Sequence, residues 1–172
     1  MIKLVGSAIL VAAGGIAGMV VAREYARRPS ELKSILSSIQ MLETEIIYAA
    51  TPLAEALEKV ASGSDRCVAG FFQRAARELG SMSGCTAGEA WDRSLTWFYT
   101  VNSLNRQDIS ILGSLGRALG ISDRVDQSKH LKLACEQIKR EIARAEEDST
   151  KNTRMWNYLG FCGALVAAIV LY

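Results

Sequence analysis

The sequence lacks the residues and motifs on which most enzymes depend. It contains a single histidine, His130, and no phosphate-binding loop, nucleophile turn or zinc-protease motif. His130 and Cys135 are five residues apart, which places their side chains about 140° apart around a helix and excludes a catalytic dyad there. His130 would be the best catalytic candidate of an enzyme, whereas acid–base catalysis by Glu43 and Glu45 would have to use side chains that point to different sides of a helix. We expect instead that the chain is not an enzyme and binds no cofactor.

Cysteine spacing and charge exclude further classes. The four cysteines include no C-x-x-C pair, so the sequence predicts neither a disulfide framework nor a metal site. Lysine and arginine number 20, against 18 aspartates and glutamates. Because dedicated nucleic-acid binders carry a strong basic excess, we expect no nucleic-acid partner. Nothing in the sequence indicates a small-molecule substrate either.

Charged residues are concentrated in the middle of the chain. Residues 4–22 and 155–172 contain none, and every charge except Lys3 lies in residues 23–154. As a helix, the first apolar segment would be roughly 28 Å long, close to the hydrocarbon thickness of a bilayer, about 30 Å. We therefore predict an N-terminal transmembrane helix over residues 1–22, a polar domain over 23–154 and a C-terminal transmembrane helix over 155–172.

Each apolar end has an alternative interpretation. The first segment could be a cleaved secretory signal peptide, although its apolar run is long and its cleavage site poor. The second could be a buried helix of a soluble core. Small residues four apart, Gly14 and Gly18 in the first segment and Gly160 and Ala164 in the second, favour close packing of membrane helices. Small residues are also simply frequent in such segments.

The distribution of basic residues predicts the orientation. Nine lie on the side of the middle domain, close to the two spans, and only Lys3 and the terminal amine lie on the other side. The positive-inside rule then places residues 23–154 in the cytoplasm and both termini on the opposite side of the membrane. The nine residues are Arg23, Arg27, Arg28, Lys33, Lys139, Arg140, Arg144, Lys151 and Arg154.

The middle domain has helical periodicity and no sustained strand-like alternation. We predict an all-α fold, a six-helix bundle. Thr51 is predicted to be the N-cap of the second helix, with Pro52 in its first turn. Thr86 and Glu89 fit a capping box. On the last helix, a stripe with heptad spacing is predicted to face the bundle: Leu131, Cys135, Ile138, Ile142 and Ala145.

Two separated segments carry a family resemblance. Residues 42–57 read LETEIIYAATPLAEAL, and residues 119–123 read LGISD, followed by Gln127. Both segments resemble the stage III sporulation protein AB family of endospore-forming bacteria. The order of apolar segment, helical domain and apolar segment matches as well, so the resemblance covers the whole chain.

The resemblance implies a function. That family is similar to the F-type platform proteins of type II secretion and type IV pilus systems. It implies a six-helix cytoplasmic bundle in the sporulation complex that joins mother cell and forespore, anchored in the mother-cell (outer forespore) membrane. The implied partners are the bilayer, the secretion-type ATPase of the complex and its other membrane subunits. The platform itself would not hydrolyse ATP. Secretion platforms carry two such helical domains, whereas this chain has one.

The resemblance also points to residues that contact partners. Glu43, Glu45, Tyr48 and Gln127 are the candidates, and hydrogen bonds between bundle helices are the alternative role for them. A second function stays open: a purely structural membrane anchor that clusters other subunits through its transmembrane helices. The small-residue faces of those helices would then be the functional surfaces.

Overall fold

The structure is a computed structural model that describes residues 26–81, 84–119 and 124–171. In the last range it describes side chains for residues 125–153 and for Met155.

The described chain is helical throughout and contains no strand, as the sequence predicts. Helix α1 comprises residues 26–43 and continues into a π-helical turn at Thr44–Tyr48. Five more helices follow: α2 (Leu53–Gly63), α3 (Arg66–Gly80), α4 (Ala87–Val101), α5 (Arg106–Ala118) and α6 (Arg124–Leu171).

The chain divides into two compact units. Ser30–Ile142 forms the helical bundle, in which α2 packs on α3, α3 on α4 and α4 on α5. The second unit contains, among the described residues, 26–29 and 143–171. Every helix contributes buried apolar side chains to the bundle core, among them Leu32, Ile39, Leu42, Leu57, Val60, Phe71, Trp91, Phe98, Leu112, Leu131, Cys135, Ile138 and Ile142. The predicted α6 stripe therefore faces the core over residues 131–142.

Aromatic side chains form the centre of the bundle. The Phe71 ring lies 4.8 Å from the Trp91 ring, edge to face at 84°, and stacks on Phe98 at 5.0 Å. The indole Nε1–H of Trp91 donates to the Leu112 carbonyl at 2.9 Å, which satisfies the only polar group of this buried side chain. The cluster thus joins α3, α4 and α5 by packing and by one oriented hydrogen bond.

Capping residues begin two of the helices. Thr86 and Glu89 form the predicted capping box at the start of α4, and each side chain accepts a hydrogen bond from the backbone N–H of the other residue. Asn105 and Asp108 form a second box at the start of α5, which the sequence analysis missed. Its signal was present, because Asn105-x-x-Asp108 has the spacing that a capping box requires.

The predicted cap of α2 is wrong. The N-cap is Pro52, in an extended conformation, and the helix begins at Leu53 without a side-chain capping bond. Ala56 N–H donates to the Pro52 carbonyl at 2.9 Å. The Thr51 hydroxyl is engaged elsewhere, because it donates to the carboxylate of Glu45 at 2.8 Å. A competing carboxylate acceptor across the turn accounts for the difference.

Within the described part of the chain, no helix is long and apolar enough to cross a membrane. The predicted first span, with Gly14 and Gly18, lies outside the described residues. The backbone of the predicted second span continues α6, but the side chains of Gly160, Ala164 and their neighbours are not among those described. Both transmembrane helices remain predictions.

Candidate functional site

Residues 43–55, which lie within the first of the two segments that resemble the family, fold into a turn. We name this turn the α1–α2 corner. Its first part is the π-helical turn, in which Ala49 N–H donates to the Thr44 carbonyl five residues earlier, at 3.1 Å. Ala50 then has φ +55°, a left-handed conformation that costs an L-residue about 1–2 kcal/mol. π-Helical turns and strained residues both concentrate at functional sites. These two features together make the corner the candidate site.

Glu45 fixes the corner through its backbone and its side chain. Its carbonyl accepts from Thr51 N–H at 3.0 Å, and its carboxylate oxygen Oε2 accepts from the Thr51 hydroxyl at 2.8 Å. Lys59 on α2 donates to the same oxygen at 3.2 Å and lies 3.3 Å from Glu55 Oε1. One carboxylate therefore connects the end of α1 to the start and the middle of α2.

These contacts change the ionisation of the two central groups. The hydrogen bond from Thr51, followed by the one from Lys59, holds the pKa of Glu45 below its ordinary value of 4.5. The pKa of Lys59 is raised, mainly by its hydrogen bond to Glu45. Both groups are therefore charged at neutral pH, where the ion pair between them is intact.

The two candidate glutamates face different neighbours, as their spacing of two residues predicts. Glu45 faces α2, as described above. Glu43 is half-buried, and its charge acts on Cys135 of α6. Burial, followed by the charge of Glu43, raises the pKa of the Cys135 thiol to about 11. That thiol is protonated at neutral pH and is a poor nucleophile.

Tyr48 is the most exposed large side chain of the corner, with 80% of its surface accessible. It ends the π-helical turn, and its neighbours Ala49 and Ala50 are exposed as well. The ring therefore projects from a short segment whose conformation is set by the Glu45 contacts. Gln127 lies in the first turn of α6 and is half-buried, and its participation in the same surface remains a prediction.

The sequence analysis missed Lys59 as a residue of the site. A signal was available, because Glu55 and Lys59 are four residues apart on a helix and such pairs attract one another. The contact of Lys59 with Glu45 spans fourteen residues and two helices. No local pattern predicts a contact of that range.

The described residues contain no metal-binding cluster, and they do not bring His130 and Cys135 together. No group of three or more histidine, cysteine, aspartate or glutamate side chains among them is placed to hold a metal ion. His130 is exposed on α6, whereas Cys135 is buried in the core. The two side chains therefore lie on different sides of the helix, as their spacing predicts.

The Thr51 hydroxyl supplies the first test of this geometry. In Thr51→Val, the pKa of Glu45 should rise toward 4.5, because the largest cause of its depression is removed. A depressed folded-state pKa contributes stability above the unfolded-state pKa, and this contribution is lost as pH falls through the folded-state value. The contribution of Glu45 to the free energy of unfolding should therefore be lost in the wild type below about pH 4.5. In Thr51→Val this loss should be smaller.

Carbon NMR of the side-chain carboxyl groups measures this titration directly. Thr44→Val is the matched control, because the Thr44 hydroxyl donates to the Gln40 carbonyl and not to Glu45. An unchanged Glu45 pKa in Thr51→Val would show that the hydrogen bond does not exist in solution.

Comparison with known proteins identifies the family. The model of the stage III sporulation protein AB family matches residues 3–172. Stage III sporulation protein AB of Bacillus subtilis (strain 168) is 33% identical over 171 residues, which are 99% of each chain. A solved structure of a stage III sporulation protein AB is similar with a TM-score of 0.68 and 32% identity, covering 72% of this chain and 97% of that one. The chain belongs to the stage III sporulation protein AB family.

Proposed function

We propose that this protein is a non-enzymatic membrane platform of the secretion-like sporulation complex that links mother cell and forespore. In this role it couples the secretion-type ATPase of the complex to the membrane assembly. Membership of the sporulation family supports the setting. The observation that carries the proposal is the α1–α2 corner, where Tyr48 projects from a turn held by Glu45.

The corner has the properties of a protein-binding surface. Tyrosine is enriched among the residues that dominate binding energy, because its ring offers a large contact area and its hydroxyl a hydrogen bond. A turn that is already fixed in the free protein loses little conformational entropy on binding. The bonds of Glu45 to Thr51 and Lys59 supply this preorganisation.

Charge indicates what the partner surface carries. The corner, residues 43–55, contains three glutamates and no lysine or arginine, and Lys59, which pairs with two of them, leaves a net charge of −2. Complementary potentials accelerate association and exclude wrong partners. We therefore expect the ATPase to present a basic surface with a pocket for an aromatic ring, and the binding to weaken as salt concentration rises.

The remaining parts of the proposal concern the membrane. Residues 1–22 and 155–172 would span the mother-cell (outer forespore) membrane, with the bundle in the mother-cell cytoplasm. Gly14 and Gly18 on one span, and Gly160 and Ala164 on the other, would pack against other membrane subunits of the complex. Small residues at this spacing let helix backbones approach closely in lipid.

Co-purification of the ATPase with the full-length tagged chain from sporulating cells tests the coupling. Wild type should capture the ATPase. Glu43→Lys should weaken capture about tenfold at low salt, because a positive charge would face a basic partner. Asp92→Lys reverses an exposed carboxylate on α4, outside the corner, and should leave capture unchanged. Circular dichroism should show the same helix content in all three proteins.

The alternative makes the opposite prediction. If the chain is only a structural anchor, the ATPase is held by other subunits, and Glu43→Lys captures as much ATPase as wild type does. Function would then depend on the small residues of the predicted spans and not on the corner. Glu43→Gln removes the charge at nearly constant size, so it separates an electrostatic contribution from a packing defect.

A further inference from the structure

The outer face of α6 carries aliphatic side chains in an exposed position. Val125 is 64% exposed and Leu133 is 54% exposed, two helical turns apart, about 12 Å. At about 100° per residue, three charged residues fall within the same arc of the helix as these two. We name this set the α6 ridge: Val125, Lys129, Lys132, Leu133 and Glu136.

The ridge points away from the bundle core. The buried side chains of the same helix segment, Leu131, Ala134 and Ile138, lie on the opposite side of α6. The ridge residues therefore contribute no packing to the core, and two large aliphatic groups stay in water. Single exposed aliphatic residues are ordinary. Two on the same face of one helix, neither of them packed in the core, offer apolar area that a partner surface could remove from water.

The bundle also contains a groove that suits this ridge. Helices α2 and α3 enclose a groove of about 510 Å³. It is lined by Glu58, Ala61, Ser62, Ala69, Gln73 and Arg77. The alanines of both helices are half-buried and small, so they leave room for a branched aliphatic side chain such as that of Leu133.

The charges of the ridge and the groove are complementary. The ridge has two lysines on one side of Leu133 and Glu136 on the other, whereas the groove has both a carboxylate, Glu58, and a guanidinium, Arg77. In a contact between the two surfaces, Lys132 would face Glu58 and Glu136 would face Arg77.

Two ion pairs within α6 do not prevent the ridge charges from finding partners on a second surface. Lys129 pairs with Asp126, and Glu136 pairs with Lys139, both at 2.7 Å. All four side chains are at least half exposed, and such surface pairs contribute little stability. The ridge can therefore share or exchange these partners at small cost when it meets a second surface.

We propose that the α6 ridge of one copy of this chain occupies the α2–α3 groove of a second copy. The contact joins two different surfaces, so it is heterologous and generates a ring or an open filament. Ridge and groove lie outside the α1–α2 corner, so the proposal does not rest on ATPase coupling. A platform assembled in this way would present several corners together.

Charge reversal on each side of the contact gives a decisive test. Lys132→Glu and Glu58→Lys should each weaken self-association of the full-length chain in detergent micelles about tenfold. In each variant, a contact between two identical chains places two like charges opposite one another at positions 132 and 58. Mixing the two variants restores opposite charges at every contact between unlike chains, so the mixture should assemble as wild type does. Light scattering coupled to size-exclusion chromatography measures the protein mass in each sample.

Leu133→Asp tests the aliphatic part of the same contact. It should weaken self-association about thirtyfold, whereas Val101→Asp, at an exposed aliphatic position at the end of α4, should not. Circular dichroism should show the same helix content in both variants, because neither side chain belongs to the buried core.

Three results would overturn the proposal. The first is a wild-type chain that stays monomeric up to about 100 μM. The second is a mixture of the two charge variants that assembles no better than either alone. The third is self-association that persists unchanged in Leu133→Asp, which would assign it to the predicted membrane segments.

Discussion

Replacing Tyr48 by alanine is expected to weaken ATPase binding about thirtyfold or more while leaving the free energy of unfolding unchanged. With 80% of its surface accessible, the side chain contributes little to the bundle. Central aromatic residues of interfaces typically contribute 2 kcal/mol or more on truncation, which corresponds to about thirtyfold in the dissociation constant. Titration of the ATPase with the full-length chain in nanodiscs measures the first quantity, and chemical denaturation the second.

Tyr99→Ala is the matched control for Tyr48→Ala. Tyr99 is also exposed, at 46%, but lies on α4 beside the groove between α4 and α5. The Tyr99→Ala variant should bind the ATPase with wild-type affinity. Equal affinities for Tyr48→Ala and wild type would remove the corner from the interface. A loss in both variants would place the contact on a different or much larger surface.

Gly116→Ala is expected to destabilise the bundle by about 1–3 kcal/mol. A Cβ atom at this position would overlap the Trp91 indole, lying 2.6 Å from its Cγ. Trp91 is fully buried, touches the Phe71 ring and is oriented by its bond to the Leu112 carbonyl. It therefore cannot move aside without losing either packing or a hydrogen bond, and overpacking of this kind typically costs that amount.

The same substitution three residues earlier should have the opposite effect. At Gly113, an added Cβ atom would meet its nearest neighbours at 3.7 Å, an ordinary contact. Alanine is a better helix former than glycine by about 1 kcal/mol, so Gly113→Ala should be neutral or stabilising. Chemical denaturation of both variants gives the comparison. Equal effects at the two positions would contradict the packing of Trp91 against α5.

The helices could be predicted because their signals are local. The α6 stripe repeats at heptad spacing, and its members Leu131, Cys135, Ile138 and Ile142 are buried as predicted. Thr86 and Glu89 form the predicted capping box because both partners lie within one helical turn. A short-range pattern of this kind specifies its own hydrogen bonds.

The α1–α2 corner could be only partly predicted, because its contacts are not local. Thr51 precedes a proline at a helix start, which favours a capping role, yet its hydroxyl bonds to Glu45. That bond requires the π-helical turn and the left-handed Ala50, and alanine carries no signal for such a conformation. The family resemblance therefore singles out residues 42–57 in the sequence, whereas only the structure shows the conformation of this segment.

We propose separate roles for two surfaces of one small bundle: the corner binds the ATPase, and the ridge joins neighbouring copies. The variants separate the two roles, because Tyr48→Ala should leave self-association intact and Lys132→Glu should leave binding of the ATPase by a single chain intact.

The affinity of the secretion-type ATPase for the full-length chain in nanodiscs measures the proposed coupling itself, with empty nanodiscs as the reference. We expect saturable binding to loaded nanodiscs, weakened by salt, and no binding to empty ones. The contradictory result is a folded, membrane-inserted chain that binds no ATPase at any concentration, even with the other membrane subunits of the complex present.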